Sequence, residues 1–207
     1  MSCLVERLVK YVADECAIVH NRMPYWTVNT DSNQEYSRVA VLNMVCWLDV
    51  QGVFPSVPRG RYYAVWRLCP MAAYQVLTEI DFRVKKVQND VRETTVSSTR
   101  IPFEELSRYR GQFVDLILPD IINVDLSYEN ILFVCESHTN WWKYRMVFAS
   151  MRLENIEYST IFSEDKEFLA SGAVMATSRP EDAYHLYRQE RRPPVPRLRR
   201  LPVICEV

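Results

Sequence analysis

Val45-Cys46-Trp47-Leu48-Asp49-Val50-Gln51-Gly52, followed by Arg61-Tyr62-Tyr63-Ala64-Val65-Trp66-Arg67-Leu68, reads as two β-strands. Pro55, Pro58 and Gly60 punctuate the loop between them. The first strand belongs to a longer apolar stretch, Val39 to Val53. Its even positions, Ala40, Leu42, Met44, Cys46, Leu48 and Val50, make one uniformly apolar face. Its odd positions mix Val41, Val45 and Trp47 with Asn43, Asp49 and Gln51. Side chains alternate across a strand, so this pattern describes one buried face and one partly covered face. Trp47 and Trp66 lie inside strands and are expected in the core.

Working outward, short strands continue. Glu79 to Val84 alternates, with Ile80, Phe82 and Val84 inward. Arg92–Ile101 is another strand or an extended loop. Phe113–Leu118, Ile131–Glu136 and Tyr144–Leu153 read as strands, with His138-Thr139-Asn140-Trp141-Trp142 as the loop between the last two. Short strands at this spacing predict an all-β protein, an antiparallel sandwich. Towards the N-terminus, Leu4, Val5, Leu8, Val9, Val12, Ala13 and Cys16 recur at helical spacing and predict an amphipathic helix docked on the body. Beyond residue 158 the pattern weakens; Glu164–Ser171 and Pro180–Tyr187 are candidate short helices. The stretch from Arg191 to Arg200 is rich in Pro and Arg, as expected of a disordered or polyproline tail.

Composition narrows the function classes. In 207 residues, 48% are hydrophobic and 25% charged, as in ordinary globular proteins. Four glycines are too few for glycine-rich phosphate loops. The net charge of -1 is uneven: residues 188–207 hold six Arg against two Glu, leaving 19 basic and 24 acidic residues to the body. An acidic body gives no expectation of nucleic-acid binding. The six cysteines form no CxxC pair or other metal-type spacing, and no metal or cofactor is expected. Neither a signal peptide nor an 18-residue apolar run is present, so no membrane span is expected, and the expected compartment is the cytoplasm with access to the nucleus.

No catalytic constellation emerges. The three histidines, His20, His138 and His185, sit in polar contexts without a nucleophile elbow or Cys-His signature, and the protein is not expected to be an enzyme. Aromatics are plentiful, with 12 Tyr, 8 Phe and 5 Trp. Sugar rings have apolar C–H faces that stack on exposed Trp or Tyr, while Asp, Asn or Glu bind their hydroxyls. Two places combine these residue types: Tyr25-Trp26 with Asn29 and Asp31, and His138 to Trp142. In the second, one tryptophan plugging the end of the sandwich is the competing account.

A family resemblance rests on the order of several motifs. Tyr25-Trp26-Thr27, Arg38 to Leu42, Val45 to Gly52 and Tyr62 to Leu68 together resemble the phloem protein 2, or Nictaba-type lectin, domain. Arg110 to Leu116 and Trp142-Lys143-Tyr144-Arg145-Met146-Val147-Phe148 are similar to its later strands. The resemblance implies a jelly-roll-type β-sandwich that binds N-acetylglucosamine oligomers or N-glycan cores in cytoplasm and nucleus. Many relatives follow an F-box, which implies ubiquitin-ligase components as partners; residues 1–16 are too short for one.

The expected organisation is an N-terminal helix (1–16), a β-sandwich domain (17–157), an extension (158–187) and a basic tail (188–207). The expected function is non-catalytic binding of glycans or glycoproteins. Trp26 would stack a sugar, Tyr25 and Trp142 would wall the groove, and Asp31, His138 and Asn140 would supply hydrogen bonds. The alternative is a protein-interaction module that has lost the sugar.

Overall fold

The computed structural model describes residues 7–29, 38–71, 79–88, 92–125, 129–157, 166–168 and 173–177. Over these the chain runs β1 (Arg7–Tyr11), α1 (Val12–Glu15), β2 (Ala17–Ile18), β3 (Trp26–Asn29), β4 (Val39–Val57), β5 (Gly60–Pro70), β6 (Glu79–Gln88) and β7 (Arg92–Pro102). There follow α2 (Phe103–Ser107), β8 (Val114–Ile117), β9 (Ile122–Val124), β10 (Glu129–Asn155), β11 (Lys166–Phe168) and β12 (Val174–Thr177). Every strand pairing among the described residues is antiparallel.

Two long strands build the sandwich. β4 and β10 pair along most of their length, and each serves both layers. The first half of β10 and the second half of β4 carry one layer, with β6 and β7 beyond β10 and β2 beyond β4. The second half of β10 and the first half of β4 carry the other, with β5, β8, β12 and β11 on one side and β3 on the other. β1 joins the end of β10, and β9 the start of β5. The result is a curled antiparallel sheet closed into a β-sandwich of jelly-roll type.

Trp66 on β5 shows that the layers face each other. Its fully buried ring lies 5.8 Å from Phe82 on β6, 5.8 Å from Phe133 in the first half of β10, and 6.3 Å from Phe148 in the second half. Leu48, Val50, Ile80, Ile101 and Leu68 complete the same buried cluster. Burial of such side chains stabilises by about 1.5–3 kcal/mol each and supplies the main drive to this fold.

Several expectations are corrected. Of the helix expected near the N-terminus, residues 7–11 form strand β1 and only Val12–Glu15 make a helical turn. Alternation in that strand leaves Leu8 and Lys10 half-buried and Arg7, Val9 and Tyr11 exposed, and its backbone bonds to β10 replace helical ones. The two expected strands around His138–Trp142 are one strand, β10, with an irregularity between His138 and Lys143. Arg92–Pro102 is a strand. Within Glu164–Ser171, Lys166–Phe168 is a strand paired with β12 rather than part of a helix. The candidate helix at 180–187 and the basic tail lie outside the described residues.

Candidate functional site

Trp47 is 50% exposed and Trp26 only 3%, the reverse of what the strand reading suggests. Trp26 begins β3, and its register with Leu42 turns the indole into the core, 5.8 Å from Phe148. Its Nε1 is buried there and has no hydrogen-bond partner among the described residues. The stacking role expected of Trp26 therefore has no accessible ring face, which corrects that assignment. Trp47 shares parity with Asp49 and Gln51, and all three stand on the outer face of β4 while Leu48 and Val50 point inward.

Around Trp47 the register assembles a polar site. Trp47 is opposite His138, and their rings stack at 4.4 Å between centroids with a 33° tilt. His138 Nε2 lies 4.0 Å from Asp49 Oδ2, and Gln51 Nε2 donates to Asp49 Oδ1 at 2.9 Å. One step along the sheet, Asp49, Glu136, Asp81 and Arg100 stand in one row across β4, β10, β6 and β7. Arg100 grips Asp81 through Nε at 2.7 Å and Nη2 at 3.3 Å, and Arg83 pairs with Glu136. The indole is thus an apolar platform bordered by carboxylates, an amide and an imidazole.

Two excursions of the chain flank this platform. On one side of β4, Val19 N–H donates to the Asp49 carbonyl at 3.0 Å, and the Tyr25 carbonyl accepts from Asn43 N–H at 2.8 Å. Residues 20–24 leave the ladder between these points, and Met23 is 69% exposed. Tyr25 is half-buried against the core, its ring 5.7 Å from that of His20. On the other side, His138 pairs with Trp47 and Lys143 with Val45, so four residues, Thr139–Trp142, oppose Cys46 alone. His138 and Asn140 are exposed; Asp31 and the side chain of Trp142 lie outside what the structure describes.

The fold therefore brings His138 beside Trp47, Asp49 and Gln51, which the residue patterns had not marked as site residues. The parity of Trp47 with two polar residues was the signal that could have found it. Two thiols are quiet. Burial pushes Cys16 up to about 12 and raises the fully buried Cys135 as well, which keeps both protonated at neutral pH. Among the described residues, no group of three or more His, Cys, Asp or Glu side chains is placed to hold a metal ion.

The family model of phloem protein 2 matches residues 11–166. No curated protein matches the chain by sequence. Among solved structures, the chain is similar to a xylan-binding domain of carbohydrate-binding module family 22, at 11% identity and a TM-score of 0.42, covering 72% of this chain and 91% of that one. It is also similar to the C-terminal family 22 module of Clostridium thermocellum Xyn10B, at 11% identity and a TM-score of 0.42, covering 71% and 90%. A third likeness is to the family 35 module of Cellvibrio japonicus Abf62, at 13% identity and a TM-score of 0.40, covering 71% and 91%.

Proposed function

The chain belongs to the phloem protein 2 family, and from that premise we propose that it binds carbohydrate without transforming it, through Trp47 and the polar groups around it. The observation that carries the proposal is the half-exposed Trp47 ring, backed by His138 and bordered by Asp49 and Gln51. A half-exposed indole on a strand offers an apolar ring face that a ligand can cover. A pyranose can lay its C–H face on such a ring while its hydroxyls reach carboxylate, amide and imidazole. Asn140 extends this polar border. N-acetylglucosamine oligomers or the N-glycan core, met in cytoplasm or nucleus, are the ligands we favour.

Met23 on the flanking excursion and Val19 just before it, both exposed, favour a second reading, in which Trp47 anchors a protein partner such as a ubiquitin-ligase component or substrate. A glycan array, followed by calorimetry with chitin oligomers, separates the two. The expected result is binding by the wild type and a loss of about 2 kcal/mol, some thirtyfold in affinity, in Trp47→Ala. A folded wild type that binds no glycan on the array would sink the carbohydrate proposal.

A further inference from the structure

Lys143 is fully buried, although its side chain ends in an amine. It pairs in register with Val45, a core residue, so its stem enters the sandwich beside apolar side chains. Desolvating an ammonium is expensive unless strong acceptors surround it. A methionine would fill a similar volume without that cost, so packing alone does not account for a lysine here. Its bonds do. Nζ donates to the carbonyl of Thr139 at 3.0 Å and to the carbonyl of Cys46. Thr139 opens the four-residue excursion of β10, and Cys46 is the β4 residue opposite it. The ammonium therefore bridges the two strands at the place where the regular ladder is interrupted.

We propose that Lys143 is the positioning residue of the carbohydrate site: it clamps the Thr139–Trp142 excursion onto β4 and so fixes Asn140 and the His138–Trp47 stack. The proposal rests on Trp47 being the sugar platform, but the clamp has its own observable. Without the clamp, the four residues that oppose Cys46 lose a bond that ties them to β4. Their conformational freedom would then be lost on binding, which weakens affinity without touching any ligand contact. His138 and Trp47, immediately beside the excursion, would lose their fixed stacking geometry with it.

The test compares full-length wild type with Lys143→Met, using chitotriose as the probe. Heteronuclear amide relaxation should show residues 139–142 as rigid as the sheet in the wild type. In Lys143→Met the same amides should become mobile while those of β5 and β8 are unchanged, and chitotriose affinity should fall by about tenfold or more. A lysine with a purely stabilising role would lower the melting temperature but leave affinity and excursion mobility as they were, and that result overturns the proposal. Should the wild type fail to bind chitotriose, the carbohydrate reading fails, and the relaxation comparison still decides the clamp. If Lys143→Met does not fold, the wild type decides alone. Its Lys143 ammonium should give a slowly exchanging signal with contacts to residues 46 and 139; a freely exchanging ammonium refutes the clamp.

Discussion

An indole sealed in a core and an indole lying on a sheet face respond to truncation in opposite ways. Trp26 fills space against Phe148 and is nearly inaccessible, so removing it leaves a cavity. Trp26→Ala is expected to cost about 3–5 kcal/mol of stability. Trp47 is half in water with its ring against that of His138, so Trp47→Ala should cost less than about 1 kcal/mol while removing the proposed platform. Urea unfolding of the two variants checks this; equal losses would mean that Trp47 is packed after all. The same contrast explains what was legible at this scale. Trp66 reads correctly as core because its alternating neighbours, Ala64 and Leu68, are apolar. Trp47 was misassigned because a strand tryptophan is usually buried, yet its alternating neighbours are Asp49 and Gln51. Trp26 misled because a Tyr-Trp pair near Asn29 and Asp31 resembles a binding loop, while its pairing with Leu42 is a long-range fact absent from the local sequence.

Elements were legible where one periodicity dominates. β4, β5 and β6 announce themselves by alternation, and their observed ranges extend the expected ones without moving them. Both halves of β10 were visible, but their continuity was not: His138-Thr139-Asn140 has turn composition, yet the strand runs through it, and Lys143 Nζ donates to the Thr139 carbonyl there. β1 was illegible because its apolar residues also fit helical spacing, and docking against β10 overrides local propensity. Close approach of elements leaves one further mark. Gly52 in β4 faces Met151 of β10 and Cys16 just after α1; a Cβ there would lie 2.6 Å from Met151 Sδ and 3.0 Å from Cys16 Sγ. Met151 is fully buried and has little room to swing aside. Gly52→Ala is therefore expected to destabilise by about 1–3 kcal/mol through overpacking, read as a lowered melting temperature. An unchanged melting temperature would show that the three elements are not held this tightly.

At the scale of the molecule, an ion network ties the second layer together. Asp115 on β8 accepts from Arg67 on β5 at 3.1 Å and from Arg152 on β10 at 3.0 and 2.6 Å. Arg152 continues to Glu154 at 2.8 Å, and Glu154 to Arg7 on β1 at 3.5 Å. Four strands are thereby linked across one sheet face. Burial alone would push the Asp115 carboxyl up; the guanidinium of Arg152, then that of Arg67, more than offset this and hold it below its ordinary value. The sign of the pH effect follows. A carboxyl whose folded value is depressed stabilises the protein fully above its unfolded value, about 3.9, and loses that contribution as the pH falls through the folded value. Asp115→Asn removes the charge that both arginines contact and should cost about 3–5 kcal/mol at neutral pH. The gap between wild type and variant should then close as the pH is lowered from about 5 towards 2, because the wild-type carboxyl becomes neutral as well. Urea unfolding across that range measures the gap directly. A gap that stays constant would mean that Asp115 supports the layer through shape and neutral hydrogen bonds, with its charge contributing nothing.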